Sequence, residues 1–140
     1  MYHIQKIRGI DISLGEKLIQ NGIKTTEDLL EKTSKPEGRK ELAEKIGVST
    51  DLVLEWANRA DLLRIPGMDQ DYSNLLEDAG VDTIVELSKR IPEHLHKKLI
   101  EVNKEKKVAY KFAYFLKYPK LEEVKEWIEQ AKKIPRKMEY

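Results

Sequence analysis

Ile7-Arg8-Gly9-Ile10-Asp11 returns, without a gap, as Ile65-Pro66-Gly67-Met68-Asp69. The offset is 58 residues (67 − 9 = 58) and it holds for more than twenty positions: Leu18 falls on Leu76, Gly22 on Gly80, Ile23 on Val81, Thr25 on Thr83 and Leu29 on Leu87. Those are the places where a helical hairpin needs apolar anchors, turns and caps, so one structural unit has been used twice.

Working outward, Asp11 caps a helix whose apolar positions Leu14, Leu18 and Ile19 share a face, and Gly22 stops it. Thr25-Thr26-Glu27-Asp28 reads as a capping box ahead of Leu29 and Leu30, and Thr83 with Glu86 does the same in the second copy. Pro36 opens a helix through Leu42 and Ile46 that Gly47 ends. Ser49 or Thr50 then caps a helix carrying Leu52, Val53, Trp56, Ala60 and Leu63. In copy two, Pro92 opens a helix with Leu95, Leu99 and Val102, and a Trp helix follows at Leu121, Val124, Trp127, Ile128 and Ala131. Trp127 lies 71 residues after Trp56 (127 − 56 = 71), so copy two carries 13 extra residues (71 − 58 = 13), which must fall between about Lys104 and Tyr118. No alternating apolar runs read as strands, and the expected fold is all-α.

The first hairpin has no full helix ahead of it, and the second Trp helix, Leu121 to Lys133, comes late in the chain. The sequence therefore predicts that this helix packs beside the first hairpin, either within one chain or swapped into a second one. Residues 1–63 are expected to form the first repeat unit and 64–140 the second, with the insertion at about 104–118, as one compact domain. The expected core is Leu14, Leu18, Leu29, Leu42, Ile46, Val53, Trp56, Leu76, Leu87, Leu99, Val124, Trp127 and Ile128.

Lys plus Arg number 26 against 25 for Asp plus Glu, so no global field draws the molecule to DNA or to acidic membranes, and any steering is local. The absence of cysteine excludes disulfides and thiolate metal sites and fits a reducing compartment. The first residues, Met1-Tyr2-His3-Ile4-Gln5-Lys6, lack a signal-peptide core, and a cytoplasmic location without membrane contact is the expectation.

The segments Arg8-Gly9-Ile10-Asp11 to Gly22-Ile23 and Pro66-Gly67-Met68-Asp69 to Gly80-Val81 resemble the helix-hairpin-helix motif. Through Gly38-Arg39-Lys40-Glu41-Leu42-Ala43, Trp56-Ala57-Asn58-Arg59-Ala60-Asp61-Leu62 and Trp127-Ile128-Glu129-Gln130-Ala131-Lys132, nearly the whole chain resembles a microbial family of tandem helix-hairpin-helix proteins to which no activity is assigned. The resemblance implies a tandem repeat of two four-helix units sharing one core, with an inserted helix in the second.

In nucleic-acid-binding hairpins of this kind the loop reads Gly-apolar-Gly, and the backbone N–H groups at the start of the second helix meet a phosphate without base readout. Here the first glycine stays, as Gly9 and Gly67, while Asp11 and Asp69 replace the second. A carboxylate there competes for the same N–H groups and repels phosphate by about 1 kcal/mol or more at ~4 Å. Both aspartates read first as helix caps. From Pro66 to Leu87 six acids meet no Lys or Arg, whereas Lys6, Arg8, Lys17 and Lys24 balance four acids between Lys6 and Asp28.

The insertion has the opposite character. Residues 97–120 hold eight lysines against Glu101 and Glu105, and Tyr110, Phe112, Tyr114, Phe115 and Tyr118 crowd five aromatics into nine residues. That pattern fits an amphipathic helix anchored by Phe112, Phe115 and Leu116, a stacking surface for single-stranded nucleic acid, or a subunit interface. His94 and His96, two apart on a helix, point to different faces and do not share a metal. Asp69-Gln70-Asp71-Tyr72-Ser73 lacks the glycine and the bidentate Glu of a calcium loop. No nucleophile stands with a base.

The sequence therefore reads as a non-catalytic interaction module without metal or cofactor, binding a protein partner or a second copy of itself through the insertion around Tyr110 to Tyr118 and the acidic second hairpin. The alternative is nonspecific DNA or RNA binding through Lys6, Arg8 and Lys17 at the first hairpin and Lys104, Lys106, Lys107 and Lys111 in the insertion.

Overall fold

A computed structural model describes residues 2–106 and 119–140. The described chain is all-α, with eight α-helices and no strand. Of the expected insertion, 104–106 end the helix that Pro92 opens, and the rest, with Lys107, Tyr110, Lys111, Phe112, Tyr114, Phe115 and Tyr118, lies outside the described residues. The chain divides into two compact units, one of Met1–Arg64 with Lys137–Tyr140 and one of Ile65–Arg136.

The first unit opens with a 3-10 turn at Ile4–Lys6, followed by α1 (Ile12–Gln20), α2 (Thr26–Thr33), α3 (Pro36–Ile46) and α4 (Thr50–Leu62). Their ends are written locally. Thr25 Oγ1 accepts from the Asp28 amide at 3.1 Å while Asp28 Oδ2 accepts from the Thr25 and Lys24 amides, a complete capping box. The Lys24 amide above all, with those of the box, holds the Asp28 carboxyl below its ordinary range. Pro36 opens α3 where its missing N–H costs nothing, and Ser49 Oγ caps α4 through Leu52 N at 3.1 Å. The segment before α1 is tied down by Ile4 N donating to Lys24 O at 3.0 Å and Thr26 N to Tyr2 O at 2.8 Å. Helix α2 packs on α3 and α4, and α1 on α3, around Leu18, Leu29, Leu42, Val53, Trp56 and Leu62, each at most 1% exposed.

The second unit runs α5 (Gln70–Asp78), α6 (Ile84–Ser88), α7 (Pro92–Lys106) and α8 (Leu121–Lys133). Helix α8 packs on α6 and α7, and α5 on α7, the counterparts of α4 on α2 and α3 and of α1 on α3 in the first unit. Leu75, Leu76, Leu87, Leu99, Val124 and Ile128 are buried there, and Trp127 meets Tyr72 with ring centroids 5.1 Å apart and planes tilted by 56°.

Three expectations need correction. Within this one chain the second Trp helix is grouped with the second unit, where α8 packs on α6 and α7, instead of with the first hairpin, and it is Lys137–Tyr140 that belong to the first unit. Leu14 is only half-buried, because α1 turns Gly15 and Leu18 inward, with Gly15 packed so closely that a Cβ would lie 2.8 Å from Gln5 Nε2. Thr83 Oγ1 accepts from Glu86 N at 3.1 Å, but the Glu86 carboxylate accepts from Arg90 Nε at 3.2 Å instead of completing the box.

Candidate functional site

The candidate site residues that the structure describes centre on two turns with the same construction. At the first, Ile10 N donates to Ile7 O at 3.2 Å and Gly9 takes φ +96°, a left-handed value that a side chain resists. Asp11 is extended at the N-cap of α1, where its Oδ1 accepts from Leu14 N at 2.8 Å and its carbonyl from Gly15 N at 2.8 Å. At the second, Met68 N donates to Ile65 O at 3.0 Å, Gly67 takes φ +81°, and Asp69 Oδ1 accepts from Tyr72 N at 2.8 Å while its carbonyl accepts from Ser73 N at 3.0 Å.

The far ends of α1 and α5 match too. Ile23 N reaches Leu18 O at 2.9 Å and Gly22 N reaches Ile19 O at 3.0 Å; Val81 N reaches Leu76 O at 2.8 Å and Gly80 N reaches Glu77 O at 2.9 Å. These are the two bonds of a Schellman motif, made twice at the 58-residue offset.

The consequence for an anion is direct. A helix start offers unpaired N–H groups and a partial positive charge. At both turns a carboxylate of the chain already accepts the third amide of the helix and brings its own negative charge.

The turns differ in what lies under and around them. A Cβ on Gly9 would meet Trp56 Nε1 at 3.3 Å, whereas a Cβ on Gly67 would meet nothing within 4 Å. The Trp56 indole is 1% exposed, and its N–H finds no acceptor among the described residues. At the second turn the Tyr72 hydroxyl is pushed up to about 12, chiefly by burial and then by the carboxylates of Glu123, Asp69 and Asp71. Lys6 and Arg8 are exposed beside the first turn. Lys17 is exposed on α1, six residues past Asp11 and so about 9 Å along the helix axis. Lys104 is exposed on α7 of the second unit, so the candidate cations that the structure describes are divided between the two units.

Other features carry less chemistry. His94 is exposed, while His96 Nε2 lies 3.0 Å from Pro119 O. Among the described residues no three His, Asp or Glu side chains gather as metal ligands, and no helix is long and apolar enough to cross a membrane. A cleft of about 140 Å³ lined by Thr26, Glu27, Leu30, Ala60, Leu63 and Arg64 is smaller than the ~300 Å³ at which small-molecule pockets begin.

Sequence reasoning missed a group of contacts around Arg39, which is 4% exposed and bonds both to Thr33 O and to Glu139 O, a hundred residues away. The available signal was the segment after α8, where Met138 and Tyr140 are hydrophobic side chains in a stretch with no helical spacing.

A family model described as Domain of unknown function (DUF4332) matches residues 8–134. Neither curated proteins nor solved structures yield a match.

Proposed function

We propose that this chain, which belongs to the DUF4332 family, is a non-catalytic tandem helix-hairpin-helix module that binds a protein partner or a second copy of itself. One observation carries the reading: the carboxylates of Asp11 and Asp69 sit on the amides that a hairpin of this kind would turn to a phosphate. Both copies make the same substitution and the same bond, so the anion-binding use of the turn is blocked twice. The carboxylates of Glu123, Asp69 and Asp71, which act on Tyr72, add repulsion at the second turn. The 104–118 insertion, rich in Tyr and Phe, is the proposed contact surface, since those residues are enriched at the centres of protein interfaces.

The test is sedimentation velocity over a range of concentrations, with affinity capture beside it, on the wild type and on Tyr114→Ala with Phe115→Ala. The expected result is an assembly or captured partner that the double substitution loses while its helical circular dichroism stays intact. Wild type and variant behaving alike in both assays would refute the insertion as the contact surface.

A second reading, nonspecific nucleic-acid binding, draws on the exposed Lys6 and Arg8 flanking Gly9. It requires steep salt dependence from released counterions, and Asp11→Gly with Asp69→Gly should strengthen it.

A further inference from the structure

Residues 137–140 are seated in the first unit as an extended peptide is seated in a receptor. Glu139 N donates to Ser34 O at 2.7 Å, and Glu139 O accepts from Arg39 Nη2 at 2.8 Å, so both main-chain groups of one tail residue are read. Ser34 follows the last residue of α2, where helix carbonyls lack intrahelical donors, and the tail amide supplies one.

Three side chains anchor the same segment. Met138 is 2% exposed. Tyr140 lays its ring under the Arg39 guanidinium, 5.8 Å from carbon to centroid, and its hydroxyl donates to Asn58 Oδ1 at 3.0 Å. Lys137 Nζ reaches Glu31 Oε2 at 2.5 Å and holds the Glu31 carboxyl below its ordinary range.

Arg39 is the telling residue. It is a nearly buried cation with no carboxylate within ion-pair distance among the described residues. Its charge is met by the Thr33 carbonyl at the end of α2, by the Glu139 carbonyl and by the Tyr140 ring. Two of those three partners belong to the tail, and a buried guanidinium deprived of them would be left without compensation.

We infer that the first unit carries a peptide-reading groove, walled by Glu31, Ser34, Arg39 and Asn58, that residues 137–140 fill in cis and that a partner protein fills in trans with an extended segment of basic–apolar–any–aromatic pattern. The main-chain bonds at Glu139 read an extended backbone whatever its side chain, which is why the third position is free, while the three anchors set the pattern. The cis tail acts as a competitor at high effective concentration, so the groove opens to a partner only when the tail is weakened or outcompeted. None of the residues that wall or fill this groove belongs to 104–118, so the proposal goes beyond the proposed function and stands or falls separately from it.

The experiment uses the full chain and a labelled synthetic peptide of residues 134–140, read by fluorescence anisotropy. Met138→Asp places a carboxylate where a buried apolar side chain sits and should release the tail. The peptide is expected to bind Met138→Asp at least tenfold more tightly than the wild type. Arg39→Ala in the Met138→Asp background, or aspartate at the methionine position of the peptide, should each weaken binding more than tenfold. Should Met138→Asp fail to fold by circular dichroism, Lys137→Glu with Tyr140→Ala, both at exposed side chains, takes its place with the same expectation. Equal peptide binding by the wild type and the folded variant, or none by the variant, would overturn the inference. A stable dimer in a mixture of wild type and variant would overturn the assignment to a different protein and give the groove to a second copy of the chain.

Discussion

Gly38→Ala should destabilise the first unit, against the sign that helix propensity alone gives. Inside a helix, alanine is favoured over glycine by about 0.8–1.0 kcal/mol. At Gly38, in the first turn of α3, a Cβ would lie 1.9 Å from Lys32 O and 3.1 Å from Lys32 C, both backbone atoms of α2. A carbon normally stands about 3.3 Å or more from a carbonyl oxygen, so α3 would have to retreat by roughly 1.4 Å. The neighbouring Arg39 would move with it, disturbing its bonds to Thr33 O and Glu139 O. Overpacking against a wall that cannot rotate away belongs at the upper end of the ~1–3 kcal/mol range, leaving a net loss of about 2 kcal/mol after the propensity gain. Gly15→Ala is the internal control. The three atoms nearest its Cβ would all belong to the Gln5 side chain, at 2.8–3.3 Å, and that exposed chain can swing aside. The assay is urea unfolding followed by Trp56 fluorescence in a Trp127→Phe background, which reports on the first unit. Gly38→Ala should lower the midpoint well below that of Gly15→Ala. A Gly38→Ala midpoint equal to or above the wild type, at unchanged m, would refute the reasoning.

The matched turns give a second comparison: Gly9→Ala and Gly67→Ala each force a positive φ on alanine at about 1–2 kcal/mol, but only Gly9→Ala also presses a Cβ to 3.3 Å from Trp56 Nε1, so it should lower the melting temperature further. Asp69→Ala should cost about 1 kcal/mol by orphaning the Tyr72 amide, and Asp69→Gly only a few tenths, measured by denaturant unfolding. In the folded state the Tyr72 hydroxyl is raised to about 12 from an ordinary value of 10.0, so the stability it contributes is full below pH ~10 and is lost as pH climbs toward 12; Tyr72→Phe should delete the latest step in a tyrosinate absorbance titration. Asp28 has the opposite sign: its carboxyl is depressed, so its contribution is present above the ordinary carboxylate range and disappears as pH falls below about 4, and Asp28→Asn should flatten that acid limb of a stability–pH curve.

Where a single local residue decides the backbone, the sequence was readable. Asp11, Thr25, Ser49, Asp69 and Thr83 all cap helices through bonds to residues three positions on, and Gly22 and Gly80 end theirs in Schellman turns. Periodicity likewise placed Leu18, Leu29, Trp56, Leu76, Val124 and Trp127 in the interior. The failures depend on distant partners. Gly15 rather than Leu14 turns inward because Gln5 and the 3-10 turn pack there, a contact that a helical wheel does not contain. Helix α8 packs on α6 and α7, whereas repeat counting alone placed it beside the first hairpin, within one chain or swapped into a second. Arg39 meets Glu139 across a hundred residues, and nothing in a run beginning Pro36-Glu37-Gly38 announces that its arginine is buried under a tail. At the candidate site the turn residues and their caps were legible, because glycine and aspartate have few ways to act there. The ligand was not, because a cap and an anion site differ only in what else reaches the same amides.

The most direct test of the account is an anisotropy titration of random-sequence duplex DNA, single-stranded DNA and RNA at low salt, with the wild type and with Asp11→Gly plus Asp69→Gly. With the turn amides already occupied, the wild type should leave all three probes unbound, and the double variant should bind with an affinity that falls steeply as salt rises. Tight, salt-sensitive binding by the wild type, unchanged by the glycines, would contradict the claim that the aspartates have closed these turns to phosphate.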